Sequence, residues 1–106
     1  MTAEYLLVLC TCPDEASAAA IATALVEERL AACVSRLGTL KSLYRWQARV
    51  ESADEILLQI KTRSGLFEEL EAEIRRLHPY DTPEIIGIPV LVGAGDYLDW
   101  IRSATK

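Results

Sequence analysis

Two extended runs joined by only two residues constrain this chain more than anything else in it. Residues 32–46 carry β-forming side chains almost throughout, with Leu40, Ser42, Tyr44 and Trp46 alternating onto one face. After Gln47 and Ala48 a second run goes from Arg49 to Lys61, with Ile56, Leu58 and Ile60 on one side. The first run alone would reach ~50 Å at strand rise, whereas a domain of 106 residues has a radius of gyration of about 13 Å and is ~33 Å across. The hairpin must therefore project from its own domain. A two-stranded hairpin is marginal alone in water, and an unpaired apolar edge invites another strand. The expectation is a homo-oligomer closed by exchange of hairpins. Gly38 can bend or bulge the first strand without hiding Leu40, Leu43, Tyr44 or Trp46. Gln47-Ala48 has poor access to positive φ, so the connection is not expected to be of the type that Asn-Gly makes.

The other elements follow from spacing. Tyr5 to Cys12, YLLVLCTC, is rich in β-formers and too short for a buried helix, which makes it a strand covered on both faces. Asp14 is placed to cap a helix over residues 15–31, where Ala18, Ile21, Ala22, Leu25, Val26 and Leu30 recur at helical spacing. Ser64 is placed to cap a second helix carrying Phe67, Leu70, Ile74 and Leu77, which Pro79 stops at His78. Glu84 to Val92 reads as a fourth strand, and Pro89, which cannot donate a ladder hydrogen bond, confines it to an edge or a bulge. Asp96 then caps a short last helix with Tyr97, Leu98, Trp100 and Ile101. The order β-α-β-β-α-β plus a C-terminal helix is the α+β, ferredoxin-like arrangement. Its right-handed crossovers give an antiparallel sheet in the order 4-1-3-2 with the two main helices on one face. No linker or repeat interrupts residues 1–106, which read as one domain.

Composition narrows the partners. Sixteen acidic against eleven basic residues give a net charge of −5, which argues against nucleic acid. The charge is uneven, since Arg36, Lys41, Arg45 and Arg49 fall in a stretch without Asp or Glu between Glu28 and Glu51. No apolar stretch approaches the ~20 residues of a membrane span, and no basic start followed by an apolar segment marks a secretory signal. An odd set of three cysteines suits reduced thiols in the cytoplasm better than a disulfide framework.

Beyond these patterns, LCTCPDE at 9–15, VEERLAACV at 26–34, SLYRW at 42–46, LLQIKT at 57–62, HPYDTPEI at 78–85 and DYLDW at 96–100 together resemble the CutA divalent-cation tolerance proteins along nearly the whole chain. The resemblance implies a ferredoxin-like homotrimer, similar in architecture to the PII signalling proteins, with long hairpins pairing across subunits. It also implies a role in tolerance of copper and other divalent metals. Where the family usually has glycine, this chain has Ala48, which bears on the turn and not on the fold.

The residues can be weighed for that chemistry. Cys10 and Cys12 share a face of one strand, with Cα atoms ~6.6 Å apart, and the topology brings the end of that strand to the end of the second helix, where His78 lies. Two thiolates and an imidazole suit copper or zinc but fall short of the four ligands of a closed structural zinc site. Cys10 and Cys33 also read as small core hydrophobes, and His78 as a helix-terminal histidine bonding carbonyls. Cys33 starts the second strand, at the opposite end of the sheet, and is not expected to join the others. Analogy with PII-like trimers suggests an intersubunit cleft for a small anion built from Lys61, Arg63, Tyr80 and Glu84. Leu40, Leu43, Tyr44, Trp46 and Trp100 are expected to pack between subunits. Nothing supports an enzyme: a triad would have to use the single histidine, no nucleophile turn or Gly-rich phosphate loop is present, and neither aromatic strands nor CxxC match other users of this fold.

Overall fold

The computed structural model describes residues 3–106. β1 (Tyr5–Cys12) sends Val8, Cys10 and Cys12 to one face and Leu7 and Leu9 to the other. With apolar side chains on both faces it belongs inside the sheet. Asp14 caps α1 (Glu15–Glu27), its carboxylate accepting the Ser17 amide at 2.7 Å. The helix buries Ala18, Ile21 and Leu25 against the sheet.

α1 ends four residues before the spacing predicts. Arg29 adopts φ 60°, its amide bonds to the Val26 carbonyl at 3.1 Å, and the Leu30 amide reaches back to Leu25 at 2.9 Å. This pair of bonds is a Schellman closure. Leu30 is buried beside the helix although it lies beyond its end, which explains why the periodicity carried on past the stop.

β2 (Cys33–Trp46) and β3 (Arg49–Arg63) form the long hairpin, and β3 runs two residues further than expected. The bulge falls at Gly38, where pairing passes from Leu37–Leu57 to Thr39–Ile56. The connection corrects the expectation for Gln47-Ala48: φ is 49° at Gln47 and 65° at Ala48. Two positive φ values are the mark of the turn that Asn-Gly favours, because its twist matches that of the strands. The strands impose the turn on residues that disfavour it. The hairpin stretches the molecule to 44 × 28 × 24 Å, with a radius of gyration of 14.3 Å.

Ser64 does not cap the next helix. It opens a single 3-10 turn, Ser64–Leu66, its amide held by the Glu4 carbonyl at 2.8 Å. α2 (Phe67–Leu77) follows, burying Leu70 and Ile74 and pairing Glu71 with Arg75 at 3.0 Å on its outer face. β4 (Ile85–Pro89) is shorter than residues 84–92 and stops at the proline. The Val90 amide still bonds Tyr5 at 3.0 Å. α3 (Gly95–Ala104) begins without a side-chain cap, so Asp96 sits in its first turn and does not cap it.

The sheet order is β2-β3-β1-β4, antiparallel throughout, with β4 on the edge as Pro89 requires. This is the α+β arrangement expected. α1 and α2 cover one face over Val8, Cys10, Leu58 and Ile60. α3 covers one end of the other face, burying Ile101 against Tyr5 and Ala32. The C-terminus is tied down by two arginines: Arg29 donates to the Ser103 carbonyl at 2.8 Å, and Arg63 bonds Thr105 Oγ1 at 2.9 Å and the Lys106 carbonyl. Beyond α3 the second face carries Leu37, Ile86 and Ile88 without a covering element among the described residues.

Candidate functional site

The antiparallel path from α2 back to β4 crosses the end of β1, and this crossing assembles a cluster. One ligand atom from each of Cys10, Cys12 and His78 lies within 4.8 Å of the others, and all three residues are buried. Donors bound to a common ion at 2.0–2.3 Å stand ~3.5–4 Å apart. Such a set would need to tighten by no more than about an ångström to grip one. Cys33 lies elsewhere, half-buried beside Ser35 at the start of β2.

The two thiols are not equivalent. A shared hydrogen bond with Cys12, then burial, pushes the Cys10 thiol far above the usual range. The Cys10 side chain in turn lowers Cys12 below the ordinary thiol value of 9.0 against the effect of its burial. Cys12 is thus the thiol closer to the thiolate that metals and electrophiles require.

His78 is already engaged at both nitrogens. Its Nδ1 accepts the Tyr80 amide at 3.1 Å, which leaves Nε2–H to donate to the Thr11 carbonyl at 2.8 Å. This assignment of the tautomer follows from the hydrogen-bond network. The histidine ties the loop after α2 to the end of β1, so a metal would have to take one of these two bonds. Holding the ion through Nδ1 would leave Nε2–H on a backbone carbonyl, the usual partner behind a metal-bound imidazole.

Next to the cluster, on the sheet face opposite α1 and α2, lies a cleft of about 810 Å³. Thr11 and Glu55 are on its floor, Tyr44 and Trp46 come from the hairpin, and Tyr80 and Glu84 from the loop. Of the residues expected to bind a small anion, Tyr80 and Glu84 line this cleft. Lys61 and Arg63 do not: within one chain they sit at the other end of the sheet, Lys61 over the Tyr97 ring at 5.9 Å and Arg63 on the C-terminal residues. One chain therefore does not bring the four together. The register explains the separation, because Arg63 pairs with Tyr5 at one end of β1 while Ile56 pairs with Cys12 at the other.

Glu55 is a residue that the sequence reading passed over. It is 7% exposed, and its Oε2 accepts the Tyr80 hydroxyl at 3.3 Å. The signal was present as an acid directly before the core residue Ile56, on a strand that otherwise turns apolar there. Of the residues expected between subunits, Leu43, Tyr44 and Trp46 are exposed on the hairpin and Leu40 is half-buried. Trp100 lies on α3, exposed and 5.5 Å from Tyr97.

Residues 6–104 match the family described as CutA1 divalent ion tolerance protein. The divalent-cation tolerance protein CutA of Thermus thermophilus is 48% identical over 99 residues, 93% of this chain and 96% of that protein. Human Protein CutA is 44% identical over 96 residues, 91% of this chain, which spans about half (54%) of its length. The solved structure of the Thermus thermophilus divalent cation tolerance protein (Cut A1) matches with a TM-score of 0.95 at 47% identity, covering 96% of this chain and 99% of that one.

Proposed function

This chain belongs to the CutA1 family of divalent ion tolerance proteins, and on that premise we propose that it serves tolerance by holding a soft metal ion, copper first, between Cys10, Cys12 and His78. The observation that carries this reading is the convergence of three buried donors within 4.8 Å. Two sulfurs and one imidazole suit copper(I), which soft thiolate ligands select, or a tetrahedral ion with one position left open. Capture would begin at Cys12, the more acidic thiol, release the proton of each cysteine that ligates, and exchange one His78 hydrogen bond for the metal. The role is sequestration or signalling of metal, without a chemical transformation.

The working form in this proposal is a cytoplasmic homotrimer of PII-like architecture. Its support is the projecting hairpin with Leu43, Tyr44 and Trp46 exposed, and the part of the apolar sheet face beyond α3 that no element among the described residues covers. Free thiols at all three cysteines suit a reducing compartment. The alternative reading, a regulatory trimer binding a small anion, would have to draw its Lys61 and Arg63 from a different subunit than its Tyr80 and Glu84.

The test is a copper(I) titration of the reduced protein against a competing chelator, with bound metal counted per chain by native mass spectrometry. Stoichiometric binding that is lost in Cys12→Ser and weakened in Cys10→Ala is expected. His78→Ala is the less informative variant because it also removes the tie to Thr11. Binding unchanged in both cysteine variants would overturn the metal assignment.

A further inference from the structure

We propose that the His78 imidazole is a latch that reports whether the metal site is occupied. While it is free it holds the loop after α2 in place. Once it serves as a ligand it must release the Tyr80 amide and, through it, the hydrogen bond between Tyr80 and Glu55. The inference rests on the metal reading above and adds the route by which occupancy leaves the site.

A neutral imidazole shares one N–H and one lone pair between its two ring nitrogens. Here the lone pair, on Nδ1, accepts the Tyr80 amide at 3.1 Å, and the N–H, on Nε2, meets the Thr11 carbonyl at 2.8 Å. Ligation through Nδ1 uses the lone pair directly. Ligation through Nε2 puts the proton on Nδ1, which then donates and no longer accepts. Either way the Tyr80 amide loses its acceptor, whereas the Thr11 bond survives in the first case. The loop therefore has two arrangements at Tyr80, one for each state of the site.

Tyr80 is also tied to the hairpin. His78 sits in the cluster with Cys10 and Cys12, while the Tyr80 hydroxyl donates to Glu55 Oε2 on β3 at 3.3 Å. Pro79 between them fixes its own φ and keeps His78 extended, at φ −82° and ψ 137°. The two rings stand 4.9 Å apart at 51°, so a displacement of one is passed to the other. Glu55 and Tyr80 line one cleft with Tyr44 and Trp46, on the surface that the proposed homotrimer places between subunits. A loop released at His78 thus alters the surface that a neighbouring copy meets, and no further ligand is needed. Coupling of this kind is reciprocal: what holds Tyr80 on Glu55 opposes ligation, and what frees it favours ligation.

The test uses the full-length reduced protein with and without copper(I), a diamagnetic ion that leaves amide signals visible by NMR, with bound metal counted per chain by native mass spectrometry. On loading, hydrogen exchange at the Tyr80 amide should quicken by about tenfold or more, while the Val8 amide in β1 keeps its rate. Tyr80→Phe removes the bond to Glu55 but keeps the ring and the amide, and should tighten copper(I) binding by about three- to tenfold. A variant that merely damaged the site would weaken binding, so the sign separates a positioning role from a structural one. Copper(I) bound with Tyr80 exchange unchanged, or Tyr80→Phe binding no tighter than the parent, would overturn the latch and leave the metal assignment standing. Absence of copper(I) binding in the parent would overturn both. Should Tyr80→Phe fail to fold, the exchange measurement on the parent decides by itself.

Discussion

Replacing Ala48 by glycine should stabilise this protein, although it deletes a side chain and adds freedom to the unfolded chain. Ala48 sits at φ 65°, where its Cβ crowds the carbonyl oxygen at a cost of about 1–2 kcal/mol relative to the right-handed region. Glycine has no such penalty, but its unfolded backbone is more mobile, which offsets about 0.4–1 kcal/mol. The net gain is about 0.5–1 kcal/mol. For a chain of this size that corresponds to a rise of about 2–5 °C in the melting temperature by scanning calorimetry. The turn is at a projecting tip, so local opening should be read as well. Exchange of the amides of the closing Trp46–Arg49 pair should slow by about two- to fivefold. Ala48→Val is the control, since a β-branched residue tolerates positive φ worse than alanine, and it should move both readouts the other way. A loss of stability in the glycine variant, or glycine and valine variants that behave alike, would refute the argument that the tip holds Ala48 in the left-handed region.

Three further predictions rest on other parts of the molecule. Thr62 is fully buried and donates to the Leu30 carbonyl at 2.7 Å, so Thr62→Val should cost about 1–2 kcal/mol by urea denaturation with an unchanged slope; a neutral result would mean that carbonyl has another donor. Hydrogen bonds from the Ser17 amide and hydroxyl hold the Asp14 carboxyl below its ordinary 3.8. Its contribution is therefore complete above that value and lost as pH falls through the lower folded one. Asp14→Ala should lower the melting temperature at pH 7, with the gap to wild type closing below about 3.8; a gap constant to low pH would show that the charge is irrelevant. If the hairpins close a trimer, Leu43→Asp combined with Trp46→Ala should reduce the sedimentation mass towards that of one chain, and an unchanged mass would remove the hairpin from the interface.

The parts of the fold legible in the sequence were those set by alternation and topology. YLLVLCTC announced an inner strand with apolar residues on both faces, although only one of those faces is covered along its length; Pro89 announced an edge, and the strand–helix order the sheet arrangement, because each rests on a rule that leaves few alternatives. The errors came where tertiary structure overrode a local preference. Leu30 continued the spacing of α1 but is buried by a reversed chain and not by a helix. Gln47-Ala48 took a turn that the twist of two long strands demands. Ser64 looked like a cap, but it opens a 3-10 turn that separates it from the start of α2. The same division holds for the site. That Cys12 and His78 would meet followed from where β1 and α2 end. That His78 commits both nitrogens to backbone groups, and that Glu55 lines a cleft beside Tyr80, depends on loop geometry that no spacing encodes.

β1 is flanked by β3 and β4, and this bears on how the chain is made. The strand synthesised first occupies the middle of the sheet, yet one neighbour begins at Arg49 and the other at Ile85. At translation rates of roughly 5–20 residues per second, its eight residues wait several seconds for β3 and longer for β4. During that interval YLLVLCTC is an apolar strand with both edges open. The hairpin can form as soon as it emerges, but it cannot shelter β1 until the register from Tyr5–Arg63 to Cys12–Ile56 is closed across more than forty residues of intervening chain. Growing cells should therefore lose this protein to aggregation chiefly during synthesis, and slower codons within β3 should lower soluble yield while leaving the stability of the finished molecule untouched.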